Sequence, residues 1–600
     1  MNVPVGTPKW DLGTMYAHPA EDGLLADLDK ARHMAETYCY RCRAMGPLTL
    51  SNETELLSLL KGYEAIMETC ARPLAYARLL WIEDRTDSHA QALLKAVEEI
   101  YEEIREKILP ICMRVASSLP PEPSRQALGK ELRQYKQFLD HLYQFFRFAA
   151  REDQQKLINT RRRSRRAAAS AYETLVSTLS FEIKWRNQVL KVTAEQALSA
   201  LYGPEPSLRR KAYKGFLEAL GQNSQAFHDM LTTIIQSRLE EDAQRQIDQP
   251  CDTFFIANCI ERSHVRAFMD EVGHAYPLAQ RYLQLKARAA GKERLDLYSI
   301  YAPVLPVQEI PFYLAKQWIL EALGRLHHRF YEEALKCFEQ RRIHALPSAA
   351  KDPGARCIAQ APSIPPYITI NYNGRLRDVL LLAHELGHAI HYSLASSQSY
   401  LTYLPLDLVS EAVALFFENA VARSLVHNPP DQINEIDIVA AMLDSAFVTL
   451  FRQHSIVWFE DHIYQIARNE MITCEKTCDI WLKSQSELFG NSTELAPEYR
   501  WAWAHIPHLF LKPFYCYSYV YGYLAACAIL GEMEGRAKVS EDLIQALQMG
   551  RNCRPLDLLA VAGAQPAVGG TWSPAIRYID GLVKRFGELI EVIPSFRLQS

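Results

Sequence analysis

The sequence predicts a mainly α-helical protein with a small β-sheet set beside one motif-bearing helix. Three observations carry that expectation. Apolar residues recur at helical spacing through most of the chain, among Glu, Lys, Gln and Ala, which favour helices. One stretch, Tyr367 to Tyr372 (YITINY), alternates clearly in the manner of a strand. It passes through the turn dipeptide Asn373-Gly374 into an apolar helix that begins near Leu376 and carries His384-Glu385-Leu386-Gly387-His388.

Taken in order, the N-terminal region (1–192) reads as helices over Glu53–Arg78, Asp87–Cys112, Gln126–Phe148 and Arg161–Ser180. The prolines at 120, 121 and 123 mark a break over Leu119–Ser124. The run Arg161, Arg162, Arg163, Arg165 and Arg166 has no aromatic platform beside it, so it reads as a solvated helix face rather than a nucleic-acid contact. A second region (193–600) opens at Thr193, a cap for Ala194–Ser199. Helices follow over Pro206–Leu217, Asn223–Glu241, His264–Ala289 and Phe312–Arg325, with a short strand expected at Tyr298–Val304. Pro347–Pro366 is turn-rich and leads into the strand before the motif.

Composition narrows the function classes. A chain of 600 residues with 48% hydrophobic and 23% charged residues is long enough for several lobes. Its formal net charge of -4 gives no reason to expect a nucleic-acid partner. No apolar run reaches the length of a membrane span, and Met1–Lys30 lacks the basic-then-apolar pattern of a secretory signal, so a cytoplasmic protein without a membrane partner is expected. Its 13 cysteines are an odd number spread over a long chain, which argues against a disulfide scaffold. The pairs Cys39/Cys42 and Cys474/Cys478 read as free thiols.

The chemistry concentrates at the motif. Four residues apart on a helix, His384 and His388 share one face and can hold one zinc ion. Zinc lowers the pKa of water, and Glu385, next to the first ligand, can take its proton as general base. Gly387 leaves room beside the histidines for a strand or a substrate backbone. Zinc needs a third protein ligand and an open position. Two residues compete for that place. His391 would make three ligands along one straight helix, spread over about 10 Å of axis, which one ion does not easily meet. Glu411, in Ser410-Glu411-Ala412-Val413, sits on a later helix beyond a linker at Pro405 and is the favoured third ligand. His391 then lies beside the ligands or towards substrate. Glu418, two turns beyond Glu411, can hold a ligand histidine by its other ring nitrogen or form a helix salt bridge. Asp378 reads either as an acid near the site or as a charge on the first turn of the motif helix.

A second concentration lies at His505-Ile506-Pro507-His508 and at Tyr515, Tyr517, Tyr519, Tyr521 and Tyr523. Alternation suits a strand, whereas the small residues of Ser518–Leu530 suit a helix. The cluster is either a hydrogen-bonded core or a set of donors for the oxyanion that forms when water attacks a peptide bond. The candidate donors are His508, then Tyr517, then Tyr515 and Tyr519.

In order and spacing these pieces resemble the M3 family of zinc metallopeptidases, in particular its oligoendopeptidase F branch, over most of the chain. Trp10-Asp11-Leu12 with Met15-Tyr16 is similar to that branch's opening, and Tyr367–Tyr372, Asn373-Gly374, Asp378-Val379 and Ala383–His391 to its strand-turn-helix centre. Ser410–Asn419 resembles its second zinc helix, and Ile506-Pro507-His508 with Pro513–Tyr517 its C-terminal signature. Departures occur at Leu381, where the family has Thr, at Tyr298-Ser299, where Tyr-Asp is usual, and at Gly354-Ala355-Arg356-Cys357, where an aromatic residue follows Gly-Ala. Arg356 would favour an acidic or C-terminal group on the peptide.

The resemblance implies one zinc ion per chain on His384, His388 and Glu411, with Glu385 as base and the residues from His505 to Tyr519 binding the transition state. It implies a two-lobed helical clamshell with a deep substrate channel, lined in part by Tyr367–Asn371, which would pair with the substrate backbone. The reading is a zinc-dependent endopeptidase, monomeric or weakly homo-oligomeric, that cleaves internal bonds of short unstructured oligopeptides with zinc-activated water. The alternatives are a zinc exopeptidase of carboxypeptidase or aminopeptidase type, and a non-catalytic zinc-containing peptide-binding protein. An intact Glu385 speaks against the last, because structural zinc sites carry four protein ligands and no base beside them.

Overall fold

The computed structural model describes residues 6–17, 22–45, 53–119, 129–147, 152–306, 308–348, 350–352, 354–533, 539–564 and 572–592. The expected break at Leu119–Ser124 lies, beyond Leu119, outside them, as do both ends of the helix expected over Gln126–Phe148. The protein is mostly α-helical with small sheets. Among the described residues no helix is long and apolar enough to cross a membrane. All thirteen cysteines are free.

Three long helices, Asp22–Ala44, Glu53–Glu83 and Ser88–Ser118, build the N-terminal part. The third starts where Asp87 accepts from the amides of His89 and Ala90 at 2.8 and 3.2 Å. Leu56, Leu60, Ile104, Ile108 and Tyr135 form a core there that is separate from the main one. The basic run lies on the helix Glu152–Thr178 and is a paired face rather than a freely solvated one. Arg162 and Arg165 meet Glu241 at 2.6 and 3.3 Å, Arg161 meets Glu240 at 2.6 Å and Arg166 meets Glu102 at 3.1 Å.

Local chemistry explains the differences from expectation. Ser180–Trp185 and Gln188–Thr193 form an antiparallel hairpin that the helical reading passed over. Its turn residues Arg186 and Asn187 both have positive φ, the geometry of a two-residue hairpin loop, although Arg gives no sequence signal for it. Thr193 then caps Ala194–Ala200 in a reciprocal box with Gln196, as expected. His264–Ala289 is two helices, Arg262–His274 and Tyr276–Ala289, the second beginning with Pro277 in its first turn. Tyr298–Val304 is not a strand: Leu297–Ser299 makes a 3-10 turn, and only Leu295–Asp296 before it pairs, with Thr493–Glu494.

The sheet that carries the site has three short strands. Tyr367–Thr369 is central, parallel to Ile343–His344 on one side and antiparallel to Arg356–Ile358 on the other. This corrects the expectation that Tyr367–Asn371 pairs with the substrate backbone. Both of the central strand's edges are already occupied and its three residues are buried, so the edge strands are Ile343–His344 and Arg356–Ile358. Lys351 fixes the loop between them by donating to the carbonyls of His344, Leu346 and Ile370 at 3.2, 2.7 and 2.7 Å. Asp352 ties the same loop to the N-terminal helices through Arg85 at 2.7 Å and the carbonyl of Ile82 at 3.0 Å.

Beyond the sheet the chain turns at Gly374, whose φ of 76° suits glycine, and enters the motif helix Leu376–Leu394. Two further helices complete the centre of the main core: Asp407–His427, the glutamate helix, and Cys516–Glu532, the tyrosine helix. Glycines set their spacing. A Cβ on Gly387 would stand 2.9 Å from Ala414 Cα, and one on Gly522 would stand 3.0 Å from Glu411 Cβ. The expected room beside Gly387 is therefore filled by the glutamate helix, not by a strand or a substrate.

Candidate active site

Helix periodicity puts His384 and His388 on one face of the motif helix, and the close approach at Gly387 brings Glu411 to them from the glutamate helix. One ligand atom from each of the three lies within 4.8 Å of the others, and all three residues are buried. They form a candidate metal-binding triad.

Each ligand is held from behind. His384 Nδ1 donates to Glu418 Oε2 at 3.0 Å, which leaves Nε2 facing Glu411 Oε2 at 3.6 Å. Glu418 is itself fixed by Ser445, whose hydroxyl donates to Oε1 at 2.5 Å. His388 Nδ1 lies 3.0 Å from Ser410 Oγ, and Ser410 lies 3.1 Å from the Tyr392 hydroxyl. Tyr515 donates its hydroxyl proton to Glu411 Oε1 at 2.5 Å. Glu411 Oε2 is buried with no hydrogen-bond partner. An orphaned buried carboxylate oxygen facing an imidazole nitrogen fits a cation between them.

The electrostatics agree with that fit. Burial disfavours charge on His384, but its bond to Glu418 and the charges of Glu385, Glu411 and Glu418 prevail and raise it to about 9. His388 is pushed well below its ordinary value, first by burial and then by His384 and His391, so its ring stays neutral with a lone pair to offer. Burial lifts Glu411 and takes Glu385 up to about 7, with Glu411 adding to the rise of Glu385 and His384 opposing it. Three carboxylates crowd two imidazoles, one of these held neutral, and a divalent ion would stabilise the carboxylate charge that burial opposes. The donor set of two His and one carboxylate suits zinc.

The remaining expected residues divide. His508 sits in the short helix Pro507–Leu511, stacked on Tyr515 at 5.6 Å, with Nε2 3.4 Å from the Tyr519 hydroxyl. Tyr515 and Tyr519, one helical turn apart, pack edge to face at 5.3 Å. Tyr517 is the one candidate donor that the structure does not bring to this group. It lies on another face of the helix, donates to Asp461 at 2.5 Å and packs against Phe254 and Phe255. Tyr521 likewise turns away, to the carbonyl of Pro555 at 2.7 Å. Asp378 is a helix cap: its Oδ2 accepts from the amides of Asn373 and Arg375 at 2.8 and 3.2 Å. His391 is fully buried with both ring nitrogens unpartnered, and it stacks on Tyr392 at 6.2 Å.

Sequence reasoning missed the roles of Ser410, Ser445 and Tyr392. Ser410 adjoins Glu411, but nothing in the sequence says that it faces His388.

With this geometry in place, comparison with known proteins gives a consistent picture. Residues 325–577 match the model of Peptidase family M3. The chain is 22% identical over 389 residues to the chromosomal oligoendopeptidase F of Lactococcus lactis subsp. cremoris, an alignment covering 64% of this chain and 64%, a little under two thirds, of that protein. It is 24% identical over 372 residues to an oligoendopeptidase F homolog of Borreliella burgdorferi, covering 60% of this chain and 62% of the other. Among solved structures, a putative peptidase from Chlamydophila abortus superposes with a TM-score of 0.77 at 20% identity, covering 97% of this chain and 98% of that one. The fold is M3-like. The oligoendopeptidase-F of Enterococcus faecium agrees, with a TM-score of 0.71 at 19% identity over 94% of this chain and 98% of that one. The region matched by the family model holds the triad, Glu385, His508 and all three site helices.

Proposed function

We propose that this protein is a zinc-dependent endopeptidase of the oligoendopeptidase F type that cleaves internal bonds of short, unstructured oligopeptides. The observation that carries the reading is a fourth buried residue, the acid Glu385, beside a triad that itself supplies the three protein ligands. A structural metal site has no use for it. The names of the relatives support the oligopeptide class. We place the site in a deep channel between an N-terminal lobe (1–192) and a catalytic region (193–600). The free thiols support a reducing, cytoplasmic setting. A monomer or weak homo-oligomer is proposed, without nucleic-acid or membrane partners.

Zinc held by His384, His388 and Glu411, one ion per chain, would polarise the scissile carbonyl and lower the pKa of water. The chain's own residues do the rest. Glu385, lifted to about 7 by burial, accepts the proton of the attacking water and passes it to the leaving amine. Tyr515 and Tyr519 are driven well above their ordinary values by burial, so both hydroxyls stay protonated: that of Tyr519 can donate to the oxyanion, while that of Tyr515 is given to Glu411. His508, lowered to about 4 by burial and then by Lys512, is neutral at pH 7 and can donate through one ring nitrogen. The strand Arg356–Ile358, at the sheet edge, can meet an extended peptide through its backbone, which gives breadth of sequence rather than side-chain selection.

The test combines metal content with product analysis. Glu385→Gln should keep its metal and lose cleavage, while the native protein cuts peptides of graded length at internal bonds, read by mass spectrometry. Full residual cleavage in the variant would sink the mechanism. Products shortened only from one end would replace the endopeptidase with an exopeptidase.

A further inference from the structure

A second group of cationic side chains lies near the metal centre. Arg377 is on the motif helix seven residues before His384, hence on the ligand face and about 10 Å along the axis. It is exposed, and its guanidinium lies 4.2 Å over the ring of Tyr202. Tyr202 stacks on Tyr301 at 5.1 Å. Arg452 is within electrostatic reach of the same pair and of Tyr499 and Tyr213, and its Nη2 is 3.5 Å from His505 Nε2. It closes the segment Phe447–Arg452, a π-helical turn inside a long helical stretch, a distortion often found at functional positions.

Neither arginine reaches a carboxylate within 4.0 Å among the described residues. The acids nearby are committed elsewhere. Asp378 caps its helix, Glu418 holds His384 and Ser445, and Asp444 is held by Lys286 at 2.8 Å and Tyr282 at 2.7 Å. Nor do the phenols balance the charge, since burial pushes Tyr213, Tyr301 and Tyr499 upward and leaves them neutral at pH 7. Arg452 is partly buried, where a guanidinium without a counter-ion is costly, and planar guanidinium groups make a receptor for a carboxylate.

We propose that Arg377, packed over the stacked Tyr202–Tyr301 pair, and Arg452, beside His505 and within electrostatic reach of that pair, form a subsite for a carboxylate of the bound peptide. The inference rests on the peptidase reading for the identity of the ligand. The axial distance corresponds to about three extended residues between that carboxylate and the scissile bond. The group is either the peptide's own C-terminus or an Asp or Glu side chain at that distance. The subsite is separate from Arg356, which is on the edge strand and pairs with Asp352 at 3.2 Å.

The test measures binding, so that it stands apart from catalysis. Glu385→Gln full-length protein, loaded with zinc, is titrated calorimetrically with an eight-residue neutral peptide in three forms: C-terminal acid, C-terminal amide, and amide with one internal Glu moved along the sequence. At least one charged form should bind roughly tenfold or more tightly than the neutral amide, the effect of one or two charge-assisted hydrogen bonds. Adding Arg377→Gln, an exposed position, should remove that preference. Arg452→Lys, which keeps the charge but loses the planar fork, should reduce it. Preference for the acid form identifies the C-terminus, and preference at one Glu position identifies a side chain. Equal affinity of all forms, or a preference that survives Arg377→Gln, overturns the subsite. Peptide cleavage by the native protein is scored separately. Its absence, with the binding preference intact, would count against the peptidase reading and not against the subsite.

Discussion

Gly387→Ala tests whether the site's geometry is set by how closely two helices can approach. A Cβ there would meet Ala414 Cα at 2.9 Å and Phe417 Cδ2 at 3.0 Å. Ordinary carbon contacts are at about 3.5–4.0 Å, so the motif and glutamate helices must part by roughly 0.6–1.1 Å. Overpacking of this kind costs about 1–3 kcal/mol, and alanine returns about 1 kcal/mol in helix propensity, which leaves a net loss of about 0–2 kcal/mol. The fold should survive that. The triad should not, because the displacement moves Glu411 away from both histidines by several times the ~0.2 Å tolerance of a metal-ligand distance. We expect zinc affinity to fall by roughly tenfold or more, as it does when the support of a ligand is disturbed. Chelator competition measures the affinity and circular dichroism checks the fold. Gly581→Ala is the control: no atom lies within 4 Å of its Cβ position on the helix Ser573–Val592, so it should leave zinc binding alone. A Gly387→Ala protein that binds zinc within twofold of the native one would refute the packing argument.

Three further outcomes are expected. Glu418→Gln should weaken zinc binding roughly 10–100-fold through loss of the charged acceptor behind His384, measured by the same competition; an unchanged affinity would mean that the 3.0 Å bond does not orient the ring. Tyr519→Phe should lower kcat on a chromogenic peptide by roughly 100-fold or more if its phenol serves the oxyanion, whereas Tyr517→Phe, whose hydroxyl meets Asp461, should act on stability; equal kinetic effects would break the division. Glu460 is lifted to about 8 by burial, although it accepts the Phe514 amide. A folded carboxyl raised above its unfolded value holds its proton more tightly when folded, so its contribution is full below about 4.5 and is lost as pH rises towards 8. The thermal midpoint of Glu460→Gln relative to native should therefore climb between pH 5 and 8, and a constant difference would contradict it.

Much of the fold could be read in the sequence, and the exceptions share a cause. The helices, the Thr193 cap and the Tyr367 strand rest on local signals of periodicity and capping, which neighbours in space did not override. The hairpin at Ser180–Thr193 was missed because its turn is Arg186-Asn187, whose left-handed conformation Gly would have announced and Arg does not. The central position of Tyr367–Thr369 was unreadable for a different reason. Its partners Ile343–His344 and Arg356–Ile358 are two and three residues long, too short to show alternation. At the site, the chemistry of the motif was legible and the phase of the tyrosines was not. Alternating tyrosines look equivalent at a period of two, yet on a helix Tyr515 and Tyr519 share a face while Tyr517 lies on another.

That phase explains why the site's parts should fail together and not singly. His384 depends on Glu418, which depends on Ser445; His388 depends on Ser410 and Tyr392; Glu411 depends on Tyr515. Each chain of support occupies one hydrogen-bonding atom of its ligand and leaves the other free, so each ligand is orientated as well as present. Glu411 and Ser410 are adjacent on one helix, and that helix is held on one side by Gly387 and on the other by Gly522. A shift of the glutamate helix therefore moves a metal ligand, the partner of a second ligand and the acceptor of Tyr515 at once. Combined substitutions on its two faces, such as Gly387→Ala with Gly522→Ala, should then lose less zinc affinity than the sum of the two single losses, because the first already releases what the second would strain. Strict additivity would show instead that the two helix contacts act on the metal centre independently.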